Sequence, residues 1–304
     1  MYDLIIVGTG PAGLTAAIYA ARYKMNFLAV GRVLGGTTSE ASVVENYPGF
    51  KSISGIDLTN KIKEQVEFLG GKIIQDDIKN IQKKNSHFEI FNNNEVYKSK
   101  TLILAFGTET KKLNIPGEVE FMGKGVSYCA TCDGAFFKGK NVVVIGGSDA
   151  AATAALLLAD LAKGVYIIYR RDKLRAEPIW VEKIKKTKNI KIIYNTNIIE
   201  IKGKATVRKV ILDNPYQNQK ELEIDGVFIE IGETPVTSII KNLKIKTDKL
   251  GYIITDQSQK TNLSGVYAAG DITTSSNNLK QIITACSEGA IAVNSVYNYL
   301  KTLK

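Results

Sequence analysis

The apolar residues of this chain fall in short runs punctuated by glycine, and two of the runs repeat one pattern. From Asp3 the chain reads DLIIVGTGPAGLTAA and from Asn141 it reads NVVVIGGSDAAATAA, so that apolar strand, glycine turn and alanine-rich helix fall in register. In the first copy the pattern predicts a buried strand over Leu4–Val7, a turn Gly8-x-Gly10-x-x-Gly13, and a helix continuing over Leu14–Arg22. Gly8 permits the tight turn, Gly10 lets a pyrophosphate approach the backbone, and Gly13 lets helix and strand pack closely. The exposed N–H groups and the helix dipole then face the phosphates. A GxGxxG by itself is a weak signal; its place directly after an apolar strand and before a helix makes this one strong. The second copy reads Gly146-Gly147-Ser148-Asp149-Ala150-Ala151. Alanine at the third glycine position is accepted by the motif, whereas serine in the middle is a departure whose hydroxymethyl must avoid the pyrophosphate.

The residues after the next strand in each copy separate the two sites. Val165–Tyr169 is predicted as a strand and ends in Arg170-Arg171-Asp172-Lys173-Leu174-Arg175, where an NAD site would place an acid on the ribose. Planar guanidinium groups bind phosphate in bidentate fashion, so these arginines suit a 2′-phosphate and favour NADPH over NADH. The competing reading is a solvated basic loop. In the first copy Phe27–Val30 ends in Gly31-Arg32, again without the acid. Two dinucleotide sites imply two dinucleotides, and the usual pair is a tightly held flavin and an exchanging nicotinamide.

Further along, SHFEIF and EVYKSKTLILAFGT read as strands that complete the first unit, and LNIPGE (113–118) reads as a crossing. The second unit closes after VFIEIGETPVTSI, and SGVYAAGDI (264–272) returns to strand and turn before a last helix. Gly270-Asp271 after an apolar strand suits a carboxylate brought to a flavin ribityl chain. The expected fold is therefore α/β: two dinucleotide-binding, Rossmann-like, three-layer domains, with the NAD(P)H domain inserted in a discontinuous FAD domain. The expected boundaries are 1–112 and 239–304 for the FAD domain and 113–238 for the NADPH domain, which also carries both members of a cysteine pair. Both crossings hold Gly and Pro, which suits a hinge and equally an ordinary linker. A length of 304 residues is about right for two cores.

Composition changes this picture little. At 44% hydrophobic and 23% charged with 6 prolines, the chain is an ordinary globular one. No apolar run approaches the roughly 20 residues of a membrane span, and the apolar N-terminus lacks the basic flank of a signal peptide, so a cytoplasmic location is expected. The net charge of +10 comes from lysines scattered through segments such as KNIQKKN and EKIKKTKN, without an arginine stripe. Nucleic acid is not expected as a partner; an acidic protein steered by the positive field is.

GTGPAG, VENYPGF, SYCATCDG, GGSDAA, YRRDKLRAE, GVYAAGDI and KQIITACSEGAIA occur here in the order in which the low-molecular-weight, bacterial- or archaeal-type thioredoxin reductases carry them. The sequence resembles that family over nearly its whole length. The resemblance implies an FAD domain split around an NADPH domain, a homodimer, and electron flow from NADPH through FAD to a Cys129–Cys132 disulfide and on to thioredoxin or a thioredoxin-like protein. It also implies rotation of the domains relative to each other. It assigns FAD contacts to Gly8, Gly10, Pro11, Ala12, Gly13, Gly36, Thr37, Asn46, Gly107, Gly270, Asp271, Gln281 and Ile282. It assigns NADPH contacts to Gly146, Gly147, Ser148, Asp149, Ala150, Arg170, Arg171, Arg175 and Gly232. The departures are specific: Thr37 stands where the family has the glutamine of GGQ, Tyr169 where it has the histidine of HRR, GGSDAA replaces GGGDSA, Lys280 replaces an arginine, and Cys286-Ser287-Glu288-Gly289 replaces AGDG. They fall most heavily on the NADPH motif. Two alternatives follow: the same flavin and disulfide machinery fed by a reduced deazaflavin or ferredoxin, or a redox-silent flavin-binding interaction protein.

A thiol is a nucleophile only as thiolate, and a CxxC pair at a helix start is placed to lower one cysteine's pKa below about 8.5. Asp133, adjacent to Cys132, is the candidate acid that protonates the outgoing thiolate. Either cysteine could attack the partner, since exchange passes through a mixed disulfide in both cases. Zinc needs about four ligands, and the chain offers beyond this pair only Cys286 and His87, both distant. No metal is expected. His87, in SHFEIF, reads as a structural residue of a surface hairpin. Cys286 reads as a small buried residue, with a redox side role beside Gln281 as the alternative.

Overall fold

Residues 1–41 and 43–303 are described in the computed structural model. The chain opens with β1 (Tyr2–Val7), followed by α1 (Pro11–Arg22) and β2 (Phe27–Gly31). Leu4–Val7 are all buried, because the sheet is covered on both faces and no alternation with polar residues is required. Helix α1 starts at Pro11, three residues before the predicted Leu14, so that Gly13 lies inside its first turn. Proline suits that position, where its missing N–H has no intrahelical partner to lose. Next come α2 (Gly55–Phe68), β3 (Ile73–Gln75), β4 (Asn80–Lys83), β5 (Phe88–Phe91) and β6 (Val96–Leu104). Ser54 caps α2 by accepting the Asp57 N–H at 3.1 Å.

The chain then passes through β7 (Thr108–Thr110) into β8 (Val126–Ser127), the one-turn helix α3 (Ala130–Asp133), β9 (Asn141–Ile145), α4 (Asp149–Ala159) and β10 (Gly164–Ile168). Strand β10 stops one residue short of the predicted Tyr169, whose ring is buried. There follow α5 (Pro178–Lys186), β11 (Ile190–Ile193), β12 (Ile198–Gly203), β13 (Val207–Tyr216), β14 (Gln219–Glu223) and β15 (Gly226–Ile229). The chain leaves through β16 (Glu233–Pro235), which pairs with β7, and ends with β17 (Val266–Ala268) and α6 (Ile282–Thr302).

These elements form two compact units, Met1–Glu109 with Thr234–Lys304 and, inserted between them, Thr110–Glu233. In the first, the sheet order is β3-β2-β1-β6-β5-β4 with β17 also beside β6. Its β1, β2, β3, β6 and β17 run parallel and the β4–β5–β6 edge antiparallel. Strand periodicity sends Leu4 and Ile6 into the core beneath α1, α2 and α6, and Ile5 and Val7 into the core on the opposite face. In the second unit, β11-β10-β9-β15-β8 is wholly parallel. Val142 and Val144 face α4, while Val143 and Ile145 face the antiparallel sheet β12-β13-β14. The fold is thus two Rossmann-like dinucleotide-binding units, one inserted in the other, and β1–α1 repeats as β9–α4.

Candidate functional site

The first glycine turn is built by exclusion. Gly8 has φ +122°, and a Cβ on it would lie 2.0 Å from the Ala105 carbonyl oxygen; a Cβ on Gly13 would lie 1.9 Å from that of Gly8. A Cβ on Gly10 would instead meet only the Gly35 oxygen, at 3.8 Å. The first and third glycines are therefore demanded by the fold itself, and the middle one leaves an open cradle with room for a pyrophosphate. Pro11 opens α1, and Gly36 lies against Gly10 in the turn that continues into the exposed Thr37. Gly107, with φ +63° and open space at its Cα, follows β6 at the same end of the sheet.

Chain segments distant in sequence converge on this turn. The Asn46 amide donates to Gln281 Oε1 at 2.9 Å, and Ile282 then begins α6. A Cβ on Gly289 would lie 2.1 Å from the Ala12 oxygen, so α1 and α6 touch backbone to backbone. Gly270, left-handed at φ +82°, sits over the Ala12 methyl with half-buried Asp271 beside it. Glu288 was not singled out as a site residue from the sequence. Its buried carboxylate accepts the Gly270 N–H at 2.8 Å and the hydroxyls of Thr273 at 3.0 Å and Ser276 at 2.6 Å, and so shapes the turn that presents Asp271. The signal available was an acid set among the small residues of an apolar helix. Lys280 donates to the Thr273 carbonyl and lies 4.5 Å from the Tyr252 ring, and burial lowers its pKa. Cys286 is buried, with Sγ 3.9 Å from both the Tyr47 hydroxyl and the Pro11 carbonyl. Burial raises its thiol, and burial together with Cys286 raises Tyr47 to about 12.

The second turn reproduces the first with substitutions. A Cβ on Gly146 would lie 2.2 Å from the Glu230 oxygen, and one on Gly147 would lie 2.6 Å from the Tyr169 ring. Ser148 has φ −92° and ψ −178°, nearly the −77° and −174° of Gly10, so a side chain is accommodated with the turn unchanged. Its hydroxyl does not cap α4. The basic loop is fastened to this turn: the Arg175 N–H donates to the Gly147 carbonyl at 2.6 Å, and the Glu177 N–H to Asp149 Oδ1 at 2.7 Å. Arg170, Arg171 and Arg175 are exposed, as is Ala150 at the start of α4. Gly232, with φ +95° and no atom within 4 Å of its Cβ position, accepts the Lys111 N–H at 2.9 Å. The loop is therefore a fixed part of the second turn.

Cys129 and Cys132 form a disulfide. Cys129 caps α3 with φ −138° and ψ 97°, and its Sγ accepts the Cys132 N–H at 3.1 Å. Cys129 is half-buried and Cys132 exposed, with half-buried Asp133 next to it. His87 pairs with Glu89 at 3.4 Å at the start of β5, as a structural residue would. Among the described residues no cluster of three or more His, Cys, Asp or Glu could hold a metal, and no helix is long and apolar enough to cross a membrane.

Two nucleotide-binding turns with a disulfide on the inserted unit define a class, the nucleotide-dependent disulfide oxidoreductases. Residues 2–289 match the pyridine nucleotide-disulphide oxidoreductase family, and the chain belongs to it. It is 40% identical over 306 residues to a thioredoxin reductase of Treponema pallidum, covering 100% of this chain and 98% of that one. Among solved structures it is similar to a thioredoxin reductase of Lactococcus lactis, with a TM-score of 0.95, 38% identity, and 99% and 100% of the two chains covered. It is similar also to that of T. acidophilum, with a TM-score of 0.93, 40% identity, and 100% and 99% covered. The cofactors are FAD and NADPH, and the open position at Gly10 and the fastened arginine loop fit them.

Proposed function

We propose that this protein is a thioredoxin-disulfide reductase in which Cys129 and Cys132 carry reducing equivalents from NADPH and FAD to thioredoxin or a thioredoxin-like protein. The observation that carries this reading is the disulfide at a one-turn helix, with one of its cysteines exposed and an acid adjacent. FAD supplies the two-electron relay between nicotinamide and disulfide; the roles of the protein groups follow from their positions. Gly8, Gly10 and Gly13, with Pro11 and Ala12, hold the FAD pyrophosphate, while Gly36, Thr37, Asn46, Gly107, Gly270, Asp271, Gln281 and Ile282 line the rest of that site. Gly146, Gly147, Ser148, Asp149, Ala150 and Gly232 shape the NADPH site, and Arg170, Arg171 and Arg175 bind the 2′-phosphate. The Cys132 N–H stabilises negative charge on Cys129 Sγ. Asp133 returns a proton to the thiolate released when a disulfide is reduced.

The protein works as a cytoplasmic homodimer, and its net charge of +10 favours an acidic redox partner. The reading is tested by steady-state reduction of thioredoxin with NADPH. Substitution Cys132→Ser should abolish turnover, and a variant that still turns over would overturn the reading. An association rate with the partner that ignores salt would count against the acidic-partner part alone.

A further inference from the structure

Buried Glu118 ties the redox motif to the segment by which the chain enters the inserted unit. Glu118 is 1% exposed. Its carboxylate accepts the Leu113 N–H at 2.8 Å, the Asn114 N–H at 2.6 Å and the Tyr128 hydroxyl at 2.5 Å. A carboxylate taken out of water is tolerated only where donors replace its hydration, and here three donors converge on it. Tyr128 remains a donor at any working pH, because burial, the hydrogen bond to Glu118 and its charge all raise the phenol's pKa. The ring itself packs against the core between the two sheets of this unit.

Tyr128 is the residue before Cys129. On the other side of that residue, Ser127 Oγ accepts the Cys129 N–H at 3.0 Å and lies 3.2 Å from the Cys129 carbonyl oxygen. The redox cysteine is thus approached by two anchored side chains in succession. Helix α3 is a single turn, too short to hold its own shape. The orientation of Cys129 has to be imposed from outside the helix, and the Ser127 and Tyr128 anchors are where it is imposed.

We propose that Glu118, acting through Tyr128, is a positioning residue for the redox disulfide, holding Cys129 in the extended conformation in which the Cys132 N–H meets its Sγ. This rests on the reading of Cys129–Cys132 as the pair that reduces thioredoxin. When the Tyr128 anchor is lost, Cys129 swings away from the Cys132 N–H, and its thiolate loses a donor.

The test is Tyr128→Phe, which keeps the ring and removes the hydroxyl, with Glu118→Gln as a second variant. On the holoenzyme, three quantities are read: kcat and KM for thioredoxin, the rate at which NADPH bleaches the flavin, and the pH midpoint for iodoacetamide alkylation of the reduced cysteines. The expected result is a kcat lowered about tenfold or more, on the scale that misplacing a reacting group costs, with flavin bleaching unchanged and the alkylation midpoint moved to higher pH. An unchanged kcat and midpoint, even with a lower melting temperature, would overturn the proposal and leave Glu118 a purely structural acid. If the unmodified protein does not reduce thioredoxin, the functional reading fails, and the alkylation midpoint of Tyr128→Phe still decides whether Glu118 positions Cys129.

Discussion

The backbone N–H of Cys132 donates to the Sγ of Cys129 at 3.1 Å, within the one-turn helix that Cys129 caps. A hydrogen bond to the ionised form of a group favours that form. The geometry therefore makes Cys129 the thiol expected to react first in the reduced protein. The pH profile of iodoacetamide alkylation checks this. Cys132→Ser should retain the fast-reacting thiol, because the backbone donor survives, and Cys129→Ser should lose it; the opposite assignment would contradict the geometry.

The loop bearing Arg170, Arg171 and Arg175 is held to the second glycine turn through Gly147 and Asp149. Arg171→Ala should raise the KM for NADPH about tenfold, the low end for a charge-assisted contact given the loop's exposure, and leave the KM for NADH nearly unchanged. Equal effects on both nucleotides would show that the arginine does not read the 2′-phosphate. Asp149→Ala should produce a milder loss of the same discrimination, by releasing the loop.

Helices α1 and α6 approach so closely at Gly289 that no side chain fits: a Cβ would stand 2.1 Å from the Ala12 oxygen. Alanine ordinarily favours a helix interior over glycine by about 1 kcal/mol. Here overpacking, typically 1–3 kcal/mol and more where backbone must move, outweighs that gain. Gly289→Ala should therefore lower the melting temperature and weaken FAD retention, since Ala12 lies in the turn proposed to hold the flavin. A melting temperature equal to or above that of the unmodified protein would refute the close approach.

Burial raises the Cys286 thiol above its ordinary value, partly offset by hydrogen bonds from Thr15 and Tyr47. The unfolded thiol ionises near pH 8.5. Above that pH the unfolded chain has lost a proton that the folded protein keeps, so stability falls as pH rises through about 8.5 and onward to the folded pKa. Cys286→Ala should remove this component. In chemical denaturation at roughly pH 8 and pH 10, the unmodified protein should lose more stability than the variant; parallel losses would exclude the assignment.

The repeat of strand, glycine turn and helix was legible in the sequence because phosphate binding requires particular residues at fixed short spacing. Gly8, Gly13 and Gly146 could be read directly from the motif's spacing; of the three, only Gly13 is demanded by closeness within its own turn, while Gly8 and Gly146 are held against the carbonyls of Ala105 and Glu230, distant in sequence. Asn46 and Gln281 meet across 235 positions, and nothing in their local patterns states that pairing. Glu288 and Glu118 were missed as site residues because their donors are backbone N–H groups and hydroxyls that no residue pattern spells out, and a buried acid in sequence looks like any exposed one. Ser148 was a departure from the glycine motif. The structure shows it in the backbone conformation of Gly10, a matter of φ and ψ that residue type alone does not reveal. Tyr169 likewise replaces a polar residue of the family motif, and its buried ring lies over Gly147, whose lack of a side chain makes room for it.

The central claim is that NADPH, FAD and the Cys129–Cys132 disulfide form one electron path, and the most direct measurement is an anaerobic NADPH titration of the holoenzyme followed by flavin absorbance. Flavin and disulfide each take two electrons, so full reduction should consume about two equivalents of NADPH per flavin, falling to about one in Cys129→Ser. NADH should bleach the flavin much more weakly. No bleaching by NADPH while dithionite reduces the flavin fully, or an endpoint of one equivalent in the unmodified protein, would contradict the account.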